Sequence, residues 1–513
     1  MENINYINVF LISLLYFWGS NTALSFGIGY YTLYRPIISG TITGLILGDF
    51  KLGIMAGAVV NIIYIDFVST GGSLKGDQCL TAIIAAVCAV LFRLSPIQSA
   101  AFSYAFGYIG ILIWKYRLSI NSIFVRKYDE KYKEGKNPNI TIYNGVLPQI
   151  LLYFMSSLVM LSSLFLIFLF KDIVRLDIIK NILLLFGIYL ISLSVINVLL
   201  KVKNKKGNFI FLISLFLVTI FNFSSVFIIL LLMILFLMLS FKDFHIDKNN
   251  YINNKDNIIL NKCDLIYSWF IWMNFSHACY NFERLQGMAF AQSIKNIIKK
   301  LYKDEVKASE IIYGHTEFFN TEPNIGTSIH GYIISLEEEI FMENKSVDIS
   351  YIKKGMMGFA AGMGDSFTQV VLTPFYISSA LLLCFDNNYY LSLLAVIFLG
   401  INILYISYTG FIQGYYLGRE SLLKRLNIIK NSVAKKYFPL VFDGILGASI
   451  GKLLLLNKLY EDVNLMYFIL ALILSVIYIW VSKNKGKILR RSWWQKNDLA
   501  LWEALLILYT SDI

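Results

Sequence analysis

Five aspartates stand in or beside apolar runs of this chain: Asp49, Asp66, Asp77, Asp365 and Asp443. A carboxylate at membrane depth is expensive, so such residues mark solute or ion pathways by default. Taken singly, each is better read as a helix cap or a loop position at the bilayer edge. Several in one domain, next to glycines, shift the balance toward a polar solute pathway. Residues 40–78 carry Gly40, Gly44, Gly48, Gly53, Gly57, Gly71, Gly72 and Gly76 around three of these aspartates. Broken, glycine-rich membrane segments build binding sites in transporters, because unwound backbone is tolerated only against protein or a cavity. A second glycine passage runs from Gly355 through Gly358, Gly362 and Gly364 to Asp365-Ser366. By spacing it fits equally a helix break at a binding site or a cytoplasmic loop feeding a transmembrane helix.

Other chemistry is excluded more easily. His277, His315 and His330 lie far apart with no HExxH pairing, and the five cysteines lack CxxC spacing, so no metal site is expected. There is no GxxxxGK[ST] phosphate loop and no GxSxG elbow. No cofactor is expected. The formal net charge of +12 falls in short joints such as 126–136 and 201–206, a footprint of cytoplasmic loops and not of nucleic-acid binding. Basic clusters on both sides of some spans leave the orientation unassigned.

The elements that must position these residues are apolar helices. The chain of 513 residues is 57% hydrophobic and 15% charged, against about a quarter charged in soluble domains. Apolar runs recur at 5–24, 28–47, 52–68, 79–93, 97–114, 146–170, 179–200 and 208–241, then at 367–385, 389–412, 437–456 and 464–482. The run 208–241 is too long for one span, and Asn222-Phe223-Ser224-Ser225 divides it into two short spans or a re-entrant pair. The first residues lack a basic n-region and a small-residue cleavage site, so insertion through the first apolar segments is expected.

The expected fold is an all-α polytopic membrane protein with two membrane domains, broken or re-entrant glycine-rich segments and an amphipathic helical platform. Residues 1–241 form the first membrane domain and 242–262 a polar linker. Residues 263–354 form the platform, 355–482 its membrane part, and 483–513 a basic, Trp-containing tail that reads as an interfacial anchor. Within the platform, Phe282, Leu285, Ala289, Ile294, Ile297, Ile298 and Leu301 fall at helical spacing. So do Ile329, Ile333, Leu336 and Ile340, with Glu337, Glu338 and Glu339 beside them.

Four ordered motifs in the second half resemble the IID subunit of mannose-family phosphotransferase-system permeases. They are Asn281–Gln286, His315–Pro323, Gly331–Glu338 and Met357–Ser366, and Gly410–Gly418 continues the likeness. The first half resembles the partner IIC subunit, less closely, through Arg35-Pro36, Gly44–Asp49, Gly53–Ala58 and Gly71-Gly72 through Asp77. The resemblance implies a natural IIC–IID fusion: a sugar permease of the bacterial cytoplasmic membrane, assembled as a homotrimer. Its solute is a hexose or amino sugar, phosphorylated by a separate IIB protein fed by IIA and the general carriers, so no catalytic residue is expected on this chain. Asn61 stands where the family has a glutamate, Asp66 where it has a glycine, Ser69 for an asparagine and Gly76 for a proline. An acceptor-only carboxylate has thereby become an amide at Asn61.

On this resemblance Asn61, Asp66, Ser69 and Asp77 are expected to contact sugar. Gly71, Gly72, Gly362 and Gly364 are expected to allow the hinge of alternating access. Asp365 is expected to order the glycine turn by accepting backbone N–H bonds, and Glu283, Arg284, His315 and Asn320 to dock the IIB partner. Two competitors stand beside this reading: a decayed permease acting as a membrane receptor, and an ion-coupled sugar transporter using Asp66.

Overall fold

The computed structural model describes residues 5–458 apart from 22, 24, 67–74, 203–204, 223, 225, 246–258 and 344–345. Ser69, Gly71, Gly72, most of the expected linker, the expected span 464–482 and the tail 483–513 lie outside the described residues.

The described residues form eighteen helices. The first half contains α1 (Tyr6–Gly19), α2 (Pro36–Leu47), α3 (Phe50–Ile63), α4 (Gln78–Phe92), α5 (Pro96–Lys133), α6 (Leu147–Val174), α7 (Asp177–Val202), α8 (Lys205–Phe221) and α9 (Val226–Asp243). The second contains α10 (Lys262–Phe275), α11 (Gly287–Leu301), α12 (Glu305–Gly314), α13 (Thr327–Glu343), α14 (Ile349–Phe367), α15 (Thr373–Phe385), α16 (Tyr389–Leu417), α17 (Arg419–Asn431) and α18 (Val433–Lys458). Seven helical segments among the described residues are long and apolar enough to cross a membrane: 96–133, 141–174, 177–200, 226–243, 349–385, 389–417 and 435–456. This is an all-α polytopic membrane protein.

The expected run 208–241 divides at Asn222 into α8 and α9. The run 28–47 opens with a 3-10 turn at Gly29–Tyr31 and becomes α-helix at Pro36, which occupies the first helical position, where its missing N–H is no loss. The helices α2 and α3, of 12 and 14 residues, are too short for ordinary spans. They pair through glycines. A Cβ added at Gly44 would come within 2.7 Å of the Gly53 Cα, and one at Gly40 within 2.9 Å of the Gly57 Cα. This small-xxx-small contact lets two backbones approach as larger residues would not. Gly48, in the left-handed region at φ +88°, closes α2, and Asp49 Oδ1 caps α3 by accepting from the Leu52 N–H at 3.0 Å.

Nearly all of α3 is buried, in part against α15 of the second half, where Cys384 Sγ lies 3.7 Å from Met55 Sδ. The two halves therefore share one apolar core that includes Ile54, Val59, Leu381 and Phe385.

Helix α5 has 38 residues, about 57 Å at 1.5 Å per residue, well beyond a bilayer core of about 30 Å. Its polar end holds the platform of α10 to α13. Arg117 Nη2 donates to the carbonyls of His277 (3.0 Å) and Ala278 (2.9 Å), and Asn121 Nδ2 donates to that of Tyr280 (2.8 Å). Both platform stripes face inward: Ile294, Ile297, Ile298, Leu301, Ile329 and Ile333 are buried. Phe282, expected in the first stripe, is exposed.

The glycine passage does not break its helix. α14 is continuous from Ile349 to Phe367, and the irregularity follows it as a π turn at Thr368–Leu372, just before Pro374. Backbone groups at membrane depth must be satisfied within the segment, and the helix does that at no steric cost to glycine.

Candidate functional site

Polar side chains collect where the N-terminus of α2 meets the loop before α13. Because Pro36 starts α2, the N–H of Ile37 has no partner within the helix. Asn61 Oδ1, from α3, accepts it at 3.0 Å. Asn61 thus caps a neighbouring helix.

Asp77 is fully buried and caps α4: Oδ1 accepts from the Leu80 N–H (2.9 Å) and Oδ2 from the Tyr16 hydroxyl (2.8 Å). Asp66 is buried, pairs with Lys75 and accepts from Asn197 Nδ2 at 3.5 Å. Asn61, Asp66 and Asp77 are therefore each buried and each have protein partners. Asp443 is also fully buried, and neither of its oxygens has a hydrogen-bond partner.

Across the seam, Glu322 is the anchor of the second half. Its Oε1 accepts from the Tyr31 hydroxyl (3.1 Å) and Asn324 Nδ2 (2.6 Å), and its Oε2 from the backbone N–H groups of Asn324 (3.0 Å) and Ile325 (2.7 Å). Asn324 Nδ2 also donates to the Tyr31 hydroxyl at 3.3 Å. Gly364 lies beneath Glu322: an added Cβ would come within 2.9 Å of the Glu322 Cγ. Only this member of the glycine passage makes a close approach, since Gly355, Gly358 and Gly362 face open space. The expected turn ordered by Asp365 is absent, for Asp365 lies half-buried within α14. The carboxylate that accepts backbone N–H bonds here is Glu322, which the sequence reading missed. Its signal was present in the order Glu322-Pro323-Asn324-Ile325 before a helix start, an acid reaching the two N–H groups that follow a proline.

The expected docking residues divide. Glu283 pairs with Arg126 at the surface (2.6 Å), and Arg284 with Asp129 (2.7 Å) and the Thr316 hydroxyl (2.6 Å). Asn320 Oδ1 accepts from the Tyr280 hydroxyl at 3.1 Å. His315 is a correction. It is 4% exposed, donates from Nε2 to Glu337 Oε1 at 2.7 Å and stacks on Phe290 at 5.7 Å, so no partner can touch it directly. Glu337 and Glu338 are buried with it, and Glu338 Oε1 accepts from the N–H groups of Ile259 and Leu260 at 2.8 Å.

Burial lowers the His315 pKa and pulls that of His330 down to about 3. His330 is fully buried, with Nε2 2.9 Å from the Ser293 hydroxyl and its ring against Trp272 and Phe411. In the unfolded chain it titrates near 6.5, so below that pH the unfolded state binds a proton that the folded state refuses. Platform stability is expected to fall as pH drops from about 6.5 toward 4, by roughly 3 kcal/mol at pH 4 from His330. Thermal unfolding followed across that window checks this, and His330→Gln should flatten the slope.

Comparison with known proteins gives this arrangement its family. Residues 6–240 match the profile of the PTS system sorbose-specific IIC component, and residues 259–441 that of the PTS system mannose/fructose/sorbose family IID component. The chain is 36% identical over 160 residues to the fructose permease IID component of Bacillus subtilis, covering 31% of this chain and 58% of that protein. It is 31% identical over 152 residues to the mannose-specific EIID component of Escherichia coli K12, covering 29% and 54%. Against the sorbose-specific EIIC component of Klebsiella pneumoniae it is 26% identical over 106 residues, covering 21% and 40%. The chain spans about half the length of the curated IID relatives it matches. A cryoEM structure of the mannose transporter ManYZ with microcin E492 aligns over 50% of this chain and 97% of that one, at 20% identity and a TM-score of 0.28. The chain belongs to the mannose/fructose/sorbose family of the phosphotransferase system, with a IIC region followed by a IID region in one polypeptide.

Proposed function

We propose that this chain is the membrane permease of a phosphoenolpyruvate-dependent phosphotransferase system in the bacterial cytoplasmic membrane. It carries a hexose or amino sugar across the bilayer and presents it to a separate IIB protein, which phosphorylates it. The observation that carries the reading is the presence of IIC and IID regions in one chain, in that order. The shared apolar core and the buried polar seam between the halves support it. The phosphoryl-transfer residues belong to the IIA and IIB partners, and the assembly is a homotrimer.

The IIB partner docks on the platform through its surface charges, Glu283 and its pair Arg126 first among them. His315 contributes by holding Glu337 and the shape of that platform, not by contact. Gly364 serves as the close-packing point of the seam.

Purified chain in vesicles, supplied with IIA, IIB, the general carriers and phosphoenolpyruvate, is expected to accumulate sugar phosphate. Uptake of unmodified sugar that collapses with the membrane gradient would overturn the reading in favour of ion coupling. Assembled protein that moves no hexose or amino sugar would overturn it in favour of a receptor.

A further inference from the structure

Three buried arginines can be compared among the described residues, Arg35, Arg117 and Arg425. Arg425 is matched on every side: Nε donates to Gln413 Oε1 (3.0 Å), Nη1 to the Ile406 carbonyl (2.9 Å) and Nη2 to the Thr409 hydroxyl (2.7 Å). Arg117 Nη2 donates to two carbonyls, and only its Nε is left unpartnered. Both tie elements together. Arg35 is different. It is 7% exposed, yet Nε and Nη2 have no hydrogen-bond partner, and its face rests on the Tyr30 ring at 4.9 Å. A guanidinium has five donors and no acceptor, and burying it without acceptors is costly.

Position adds to chemistry. Arg35 immediately precedes α2, whose far end leads through Gly48 and Asp49 to Phe50. The Phe50 ring stacks on Tyr390 at 5.8 Å, at the start of the membrane-crossing helix α16. Twelve residues of helix, about 18 Å, separate Arg35 from that end of α2. Two more unmatched groups belong to the same tyrosine cluster. Tyr34 stacks on Tyr30 at 5.4 Å, and its hydroxyl faces the Asp77 carboxylate without meeting hydrogen-bond geometry. Asn324, bonded to Tyr31, has an unpartnered Oδ1. Tyr30 and Tyr31 meet edge to face at 5.5 Å. Unmatched donors, a hydroxyl and an amide carbonyl make a set that complements a polyol, whose hydroxyls both donate and accept.

We propose that Arg35 is a sugar-contacting residue of the transport site, donating from Nε and Nη2 to one hydroxyl oxygen of the solute at the seam between the halves. This rests on the permease reading and adds a residue from outside the 61–77 segment. A site built to hydrogen-bond a hydroxyl discriminates strongly against the analogue that lacks it.

The test is equilibrium binding of mannose, of fructose and of each of their mono-deoxy analogues to the full chain in lipid nanodiscs. Wild type is compared with Arg35→Gln and Arg35→Lys. Arg35→Gln should weaken the bound parent sugar about 10- to 100-fold, the range for a charge-assisted hydrogen bond. For the one deoxy analogue that lacks the contacted hydroxyl, wild type and Arg35→Gln should agree to about twofold. Equal weakening across the whole series, or none, overturns the proposal and leaves the permease reading standing. A folded wild type that binds neither these sugars nor glucose, glucosamine or N-acetylglucosamine overturns both. Should Arg35→Gln fail to assemble, Arg35→Lys is read the same way, since it keeps the charge but loses the planar fork.

Discussion

Asp77→Ala is expected to remove the assembled protein from the membrane, not merely to weaken its hold on sugar. The substitution strips the cap from α4, a loss of about 0.5–2 kcal/mol. It also leaves the buried Tyr16 hydroxyl without its acceptor, at roughly 1–3 kcal/mol more. A total of about 2–5 kcal/mol is a large part of the stability of most domains. The surroundings cannot close over the gap easily. The Asp77 N–H already donates to the Gly107 carbonyl at 2.9 Å, and Gly110 packs so near that an added Cβ would come within 2.9 Å of the Asp77 Cγ. Asp77→Asn keeps an oxygen for the Leu80 N–H and should cost less. Thermal unfolding of detergent-purified variants measures both. An Asp77→Ala protein as stable as wild type that binds no sugar would return Asp77 to the list of sugar ligands.

The cap made by Asp77 shows where the sequence could and could not be read. Span positions were legible because the bilayer demands long apolar runs, and even the division at Asn222 showed. The platform was legible because Ile294, Ile297, Ile298 and Leu301 repeat at helical spacing, and they are buried as that spacing requires. What failed were inferences about partners distant in sequence. Glu337 and Glu338 stand in a run of three acids that looks solvated, yet each is buried on a partner far away along the chain, His315 and the Ile259–Leu260 backbone. The glycine passage looked like a break because glycine permits one. The spacing of Gly355, Gly358 and Gly362, three and then four residues, already matched one face of an unbroken helix. The extent of α5 was understated for a related reason. Its second half is too polar for the bilayer, and only contact with the platform explains why it continues as helix.

Glu322→Ala is expected to loosen the seam between the two halves and destabilise the chain. Four donors converge on this carboxylate, two of them backbone N–H groups, and one is the Tyr31 hydroxyl of the first half. Breaking such a buried charged cluster from one side costs roughly 3–5 kcal/mol, because the donors left behind stay buried and unpaired. Glu322→Gln should recover only part of this, since one of its two acceptors becomes a donor facing donors. Tyr31→Phe removes the bond to Glu322 and the longer one accepted from Asn324, and should cost about 1–2 kcal/mol. The decisive quantity is the coupling between them. With alanine at 322, Tyr31 has lost its acceptor, so adding Tyr31→Phe to Glu322→Ala should cost little further. The double-mutant cycle should then return an interaction of about 1 kcal/mol or more. Additive effects would mean that the Glu322–Tyr31 bond adds nothing to a joint made by the shared apolar core and the α5–platform bonds. Coupled effects would identify the seam as an energetic joint, and its strength decides the consequence for transport. A joint of one or two hydrogen bonds is weak enough for the binding of a single sugar to open or close it. That is what a solute site placed between two halves requires.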